Sequence, residues 1–197
     1  MSTQKEMELF EKRIVAAVET LKKHQDINSS ERYSNSEINE ANLTHHIAGE
    51  LIKHGEYYVA AEYPLPMGMR LDLMSYHLGT DPWIGIEVKN RLHSNSGPVL
   101  GDLKRLAYLD QCPEFEDDVI KVMLVMNRYP ELSAWWSSRG EIELQGIAAI
   151  QRDQAAAPGE YKEIGAFLQR PGSLVGRVEW ATPEGDCLYE VLYVVFS

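Results

Sequence analysis

Apolar residues recur at helical spacing over residues 5–24, where Leu9, Phe10, Ile14, Ala17, Val18 and Leu21 are separated by charges. The pattern predicts an amphipathic helix ending in Lys22, Lys23 and His24, where cations suit the C-terminal end of the helix dipole. Such a helix packs on its own domain or against a second copy of the chain. Residues 25–33 are polar and read as a loop. Ser34 and Glu37 have capping-box spacing and open a second helix to about residue 54, with Ile38, Leu43, Ile47, Leu51 and Ile52 on its apolar face and Gly55 as its stop. Residues 56–63 then read as a strand, closed by Pro64, Pro66 and Gly68.

Two apolar runs, 69–77 and 83–88, flank Leu78, Gly79, Thr80, Asp81 and Pro82, which predicts a β-hairpin. A polar loop over 90–98 leads to a helix over 99–109 striped by Leu100, Leu103, Leu106 and Leu109. Residues 117–127 form a nearly continuous apolar run, suited to a strand buried on both faces. Further on, 130–138 reads as a short helix with one of Trp135 and Trp136 in the core, 141–150 as a strand and 151–159 as a loop. A short helix over 161–168 and strands over 175–180 and 187–196, joined by a turn at 182–186, finish the chain. The segment 128–197 is expected to complete the sheet, shape specificity or form a dimer contact.

The chemistry concentrates on the hairpin. If the turn centres near residue 80, symmetric pairing sets Asp72 opposite Glu87 or Lys89, and Glu87 and Lys89 share a face. Two carboxylates that close together call for a cation, and a hard ion such as Mg²⁺, which prefers oxygen ligands, fits best. Lys89 can then orient a water nucleophile or stabilise charge developing on a phosphate. Asp72 with Glu87-Val88-Lys89 resembles the PD-(D/E)XK nuclease superfamily, although Leu71 stands where the motif's name has proline. The tripeptide alone carries little, since Asp102-Leu103-Lys104 and Glu160-Tyr161-Lys162 also fit it without a facing Asp on a hairpin.

The resemblance covers about residues 36–127, where the predicted order is αβββαβ. It implies an α/β, restriction-endonuclease-like fold with a central mixed sheet flanked by helices, plus an N-terminal helix and a C-terminal β extension, as one domain over 1–197. It further implies metal held by Asp72, Glu87 and the Val88 carbonyl, with Mn²⁺ able to replace Mg²⁺, Lys89 at the attacking water, and DNA as substrate. A helix-borne acid is part of the same pattern. Glu40 leads the apolar face of the second helix and is favoured over Glu50, which is expected nearer solvent. Arg91 and His93 in the following loop suit phosphate, with Lys104 and Arg105 extending a basic rim. Adjacent His45 and His46 read as a surface pair, because neighbours on a helix point about 100° apart.

Composition narrows the picture. The 197 residues are 44% hydrophobic and 25% charged, ordinary for a globular chain. No run approaches a membrane span, and the N-terminus has no secretory apolar core, so a cytoplasmic protein is expected. Cys112 and Cys187 are too few for a disulfide framework. Thirty acidic against 19 basic residues give a net charge of −11, which counts against coating nucleic acid by bulk electrostatics and requires any basic rim to be local. A homodimer would suit cutting of two strands. The rival reading is a catalytically silent nuclease-fold protein that binds nucleic acid or a protein partner. A third is an unrelated α/β protein whose hairpin mimics the motif, in which case Asp72 and Glu87 would lie apart.

Overall fold

In the computed structural model, the described residues are 3–29, 40–53, 55–79, 82–92, 96–115, 119–127, 129–142, 144, 157–181 and 188–197. Helices α1 (Thr3–Ser29) and α2 (Glu40–Lys53) precede strands β1 (Tyr57–Pro64), β2 (Arg70–His77) and β3 (Trp83–Lys89). Helix α3 (Ser96–Tyr108), strand β4 (Ile120–Asn127), helices α4 (Pro130–Ser137) and α5 (Ala157–Leu168), and strands β5 (Leu174–Ala181) and β6 (Leu188–Phe196) follow. The strands form one mixed sheet in the order β1-β2-β3-β4-β6-β5. Among the described strands, only β3 and β4 run parallel, joined by the crossover through α3; the other neighbouring pairs are antiparallel.

Alternation along the strands divides two cores. Ile84, Ile86 and Val88 of β3 and Val122, Leu124 and Met126 of β4 pack with α1 and α2. Met123 and Val125 face the other way, against α3, α4 and α5. All eight residues of β4 are buried, as a strand covered on both faces requires. The C-terminal strands extend the sheet, with β6 inserted between β4 and β5. Among the described residues, no helix is long and apolar enough to cross a membrane.

Several element ends differ from the sequence pattern. Residues 25–29 continue α1 instead of forming a loop: they contain neither Gly nor Pro, and a cationic run is not itself a stop. Helix α3 begins at Ser96 and α5 at Ala157, because Pro98 and Pro158 lie in first turns, where the missing N–H has no intrahelical partner to lose. Trp135 and Trp136 are both core residues. Glu141, Ile142 and Leu144 are not in a strand, and the rest of 141–150 lies outside the described residues, as do the Ser34 and Glu37 capping box and the 182–186 turn.

Close packing fixes Gly176 in β5. Its cross-strand partner is Tyr193, whose phenol lies where a Cβ would stand and donates a 2.7 Å hydrogen bond to Glu11 of α1. Gly176→Ala should therefore displace Tyr193 and destabilise the fold by about 1–3 kcal/mol. Gly49 has open space around it inside α2, so Gly49→Ala should stabilise by about 0.5–1 kcal/mol through helix propensity. Opposite shifts of the urea midpoints would bear this out; shifts of the same sign would contradict it.

Candidate functional site

The β2–β3 ladder pairs Tyr76 with Trp83, Ser75 with Ile84, Met74 with Gly85 and Leu73 with Ile86, and stops there. One further step of that register sets Asp72 against Glu87. Instead of continuing the backbone ladder, Asp72 turns its side chain between the strands. Its Oδ2 accepts the Val88 N–H at 2.7 Å. The carboxylate thus takes a ladder acceptor's place, and the strands open where the chemistry gathers.

Glu87, on the face toward α3, is 1% exposed. Arg105 of α3 reaches it, with Nη1 2.5 Å from Glu87 Oε1 and also donating to the Arg70 carbonyl at 2.9 Å. The other terminal nitrogen of Arg105 is 2.8 Å from Asp102 Oδ1, one helical turn back. Asp102 Oδ2 faces the Lys89 ammonium at 3.1 Å, an ion pair without the alignment of a good hydrogen bond. Glu40, the first residue of α2, closes the group. Its Oε1 accepts the Asn90 N–H at 2.8 Å, and its Oε2 lies 3.7 Å from Lys89 Nζ. Four carboxylates from α2, β2, β3 and α3 therefore meet two cations.

This crowding moves the titrations. Burial first, then the neighbouring Asp102 and Asp72, push the Glu87 carboxyl up to about 9, against the opposing pull of Arg105. One guanidinium does not outweigh desolvation and two like charges, so Glu87 holds a proton at neutral pH. Burial also raises Asp102, despite Lys89 and Arg105. Burial alone would lower Lys89, but Asp102, Glu40 and Asp72 more than reverse it, and the net shift is upward. Lys89 is an ammonium at neutral pH, a donor and a charge but not a base.

The arrangement thus brings together Asp72, Glu87, Val88, Lys89 and Glu40. Glu50, expected nearer solvent, is instead buried at 8% exposure on the core side of α2, with Lys53 3.5 Å away. Arg91 follows β3 with an exposed side chain and a left-handed backbone, φ 59°. His93 lies outside the described residues. Lys104 is on the far side of α3 from Asp102, about 200° round the helix, and pairs with Glu163 of α5 at 2.7 Å.

Two residues change role. Arg105 is not part of an outer rim but turns inward onto Glu87, and Asp102 belongs to the site. Their signal lies in the helix pattern. Asp102 is three residues from Val99 and four from Leu106, so it sits inside the apolar stripe of α3, where an unpaired charge would not be tolerated.

A second buried acid shows the contrast. Glu190 of β6 is joined by Ser133, Asn127 and Arg177. Burial raises it too, but its close partners are two neutral donors and a guanidinium. One acid, the cross-strand neighbour Glu179, adds to that rise, against the two that crowd Glu87.

Comparison with protein-family models, with curated proteins and with solved structures gives no match to this chain.

Because the folded Glu87 carboxyl is raised, its stabilising protonated form is fully present below about pH 4.5 and is lost as pH rises toward about 9. Metal-free stability should fall across that window, and Glu87→Gln should flatten the fall. Melting temperatures taken in a chelating buffer across the window test this; parallel curves for the two proteins would contradict it.

Proposed function

We propose that the chain is a metal-dependent phosphodiester hydrolase acting on DNA, built on a restriction-endonuclease-like core of the PD-(D/E)XK kind. The observation that carries the reading is the meeting of Asp72, Glu87 and Lys89 where the β2–β3 ladder opens. The order of elements from α2 to β4 supports it, being helix, three strands, helix and strand.

The donor set suits a hard divalent cation. Asp72 and Glu87 are close enough for one carboxyl to hydrogen-bond the other, and the Val88 backbone adjoins Asp72. Among the described residues, no group of three or more His, Cys, Asp or Glu side chains is arranged to hold a metal. Two carboxylates and the Val88 carbonyl are a sparse set, of the sort Mg²⁺ completes with water. Mn²⁺ would substitute.

When bound, the ion would lower the pKa of a water and polarise a phosphoryl oxygen. The residues of the chain do the rest. Lys89, held as an ammonium by Asp102 and Glu40, donates to the attacking water or to phosphate oxygen and does not remove a proton. Glu40, 3.7 Å from that ammonium, would assist directly or through water. Arg91, just after β3, would meet the backbone of the substrate, as would His93 on the sequence pattern, with Lys104 contributing at longer range. In a chain of net charge −11, such cations act locally. A cytoplasmic setting and a homodimer fit the same reading.

A catalytically silent protein that binds nucleic acid or a protein partner is the second reading. It is favoured by Arg105, whose guanidinium already sits on Glu87.

Cleavage of supercoiled, linear, branched and single-stranded DNA with Mg²⁺ or Mn²⁺ separates the two. The hydrolase should cut at least one form, and Lys89→Ala should slow it by about 100-fold or more. DNA binding with no cutting under either ion would favour the silent reading, and undiminished cutting by Lys89→Ala would remove Lys89 from the mechanism.

A further inference from the structure

We infer that Arg105 is the resident counter-cation of the site, and that a divalent ion loads only by taking its place against Glu87. The inference rests on the metal-dependent reading above and assigns a role to a side chain of α3 that the motif does not contain.

The geometry is that of an occupied cation position. One guanidinium spans two acids, with Nη1 at 2.5 Å from Glu87 and Nη2 at 2.8 Å from Asp102. The same Nη1 is anchored on the Arg70 carbonyl at the start of β2, at 2.9 Å. Asp102, 5% exposed in its side chain, holds both cations of the site, Arg105 through Oδ1 and Lys89 through Oδ2. Asp72 is tied to the Val88 N–H. Every acid around Glu87 thus has a fixed contact, and Glu87 has Arg105.

An ion ligated by Glu87 would lie within a few ångströms of that guanidinium. Two cations at such a distance repel strongly inside a protein, so they exclude one another. Arg105 need not come free for this. Its Nη2 is already 2.8 Å from Asp102 Oδ1, one turn back on the same helix. Loading therefore gives up the contact with Glu87 and keeps the contact with Asp102.

The test is calorimetric titration of Mn²⁺ into the full-length chain. Arg105→Met keeps the aliphatic stem and removes the charge, Arg105→Gln keeps a hydrogen-bonding head, and Lys53→Met controls for loss of a surface cation. Both Arg105 variants should bind Mn²⁺ about tenfold tighter or more than wild type, with Lys53→Met unchanged. Binding by the Arg105 variants where wild type shows none would support the inference equally. If wild type binds and both Arg105 variants bind no tighter, or if Lys53→Met gains as much, the inference is overturned while the metal reading stands. Should no protein in the set bind Mn²⁺, both fall. If Arg105→Met does not fold, the comparison rests on Arg105→Gln.

Discussion

Glu87 is buried to 1% exposure on β3 between two other acids, Asp72 and Asp102, and the elements around it are arranged as that placement demands. A carboxylate taken from water beside like charges must be neutralised by a proton, a cation or both. In this chain the proton is retained to about pH 9 and the cation is Arg105. Helix α3 therefore cannot be a simple apolar cover. It carries Asp102 and Arg105 on the side that meets β3, and its leucines seat it on the sheet. Lys89, the next residue on the same face of β3, is drawn into the same balance through Asp102 and Glu40.

That balance also explains why the two ends of the chain matter to a site in its middle. Glu40 reaches Lys89 and the Asn90 N–H only because α2 begins above the end of β3. Helix α2 is seated in turn by Leu43, Ile47 and Leu51 in the core it shares with α1. On the opposite face α5 braces α3, through Glu160 accepting the Ser96 hydroxyl at 2.5 Å and Glu163 pairing with Lys104. Strands β5 and β6 complete the sheet beside β4, so that β4, the parallel partner of β3, is interior too.

Much of this was legible in the chain because local signals were strong. The hairpin was readable from the Gly79 and Pro82 punctuation between two apolar runs, and its register brought Asp72 to Glu87. The run ending at Asn127 announced a doubly covered strand by its nearly continuous apolar residues, interrupted by Lys121. Helix starts were less legible, because Pro98 and Pro158 look like breakers and yet sit where a helix accepts them. The insertion of β6 between β4 and β5 has no local signal at all, since strand order is decided by which apolar faces remain uncovered once the first four strands have assembled. The Arg105–Glu87 contact joins residues 18 apart in sequence, on a helix and a strand. Only the misfit of Asp102 within the apolar stripe of α3 hinted at it.

One proton and one guanidinium stand where a divalent ion would neutralise Glu87. Counting the protons released on loading is the sharpest check. Mn²⁺ titrations near neutral pH, in buffers of different ionisation enthalpy, report how many protons leave as the ion binds. With the Glu87 carboxyl at about 9, release of about one proton per ion is predicted. Binding with no proton release would contradict the account, because Glu87 would then already be ionised or would not be the ligand.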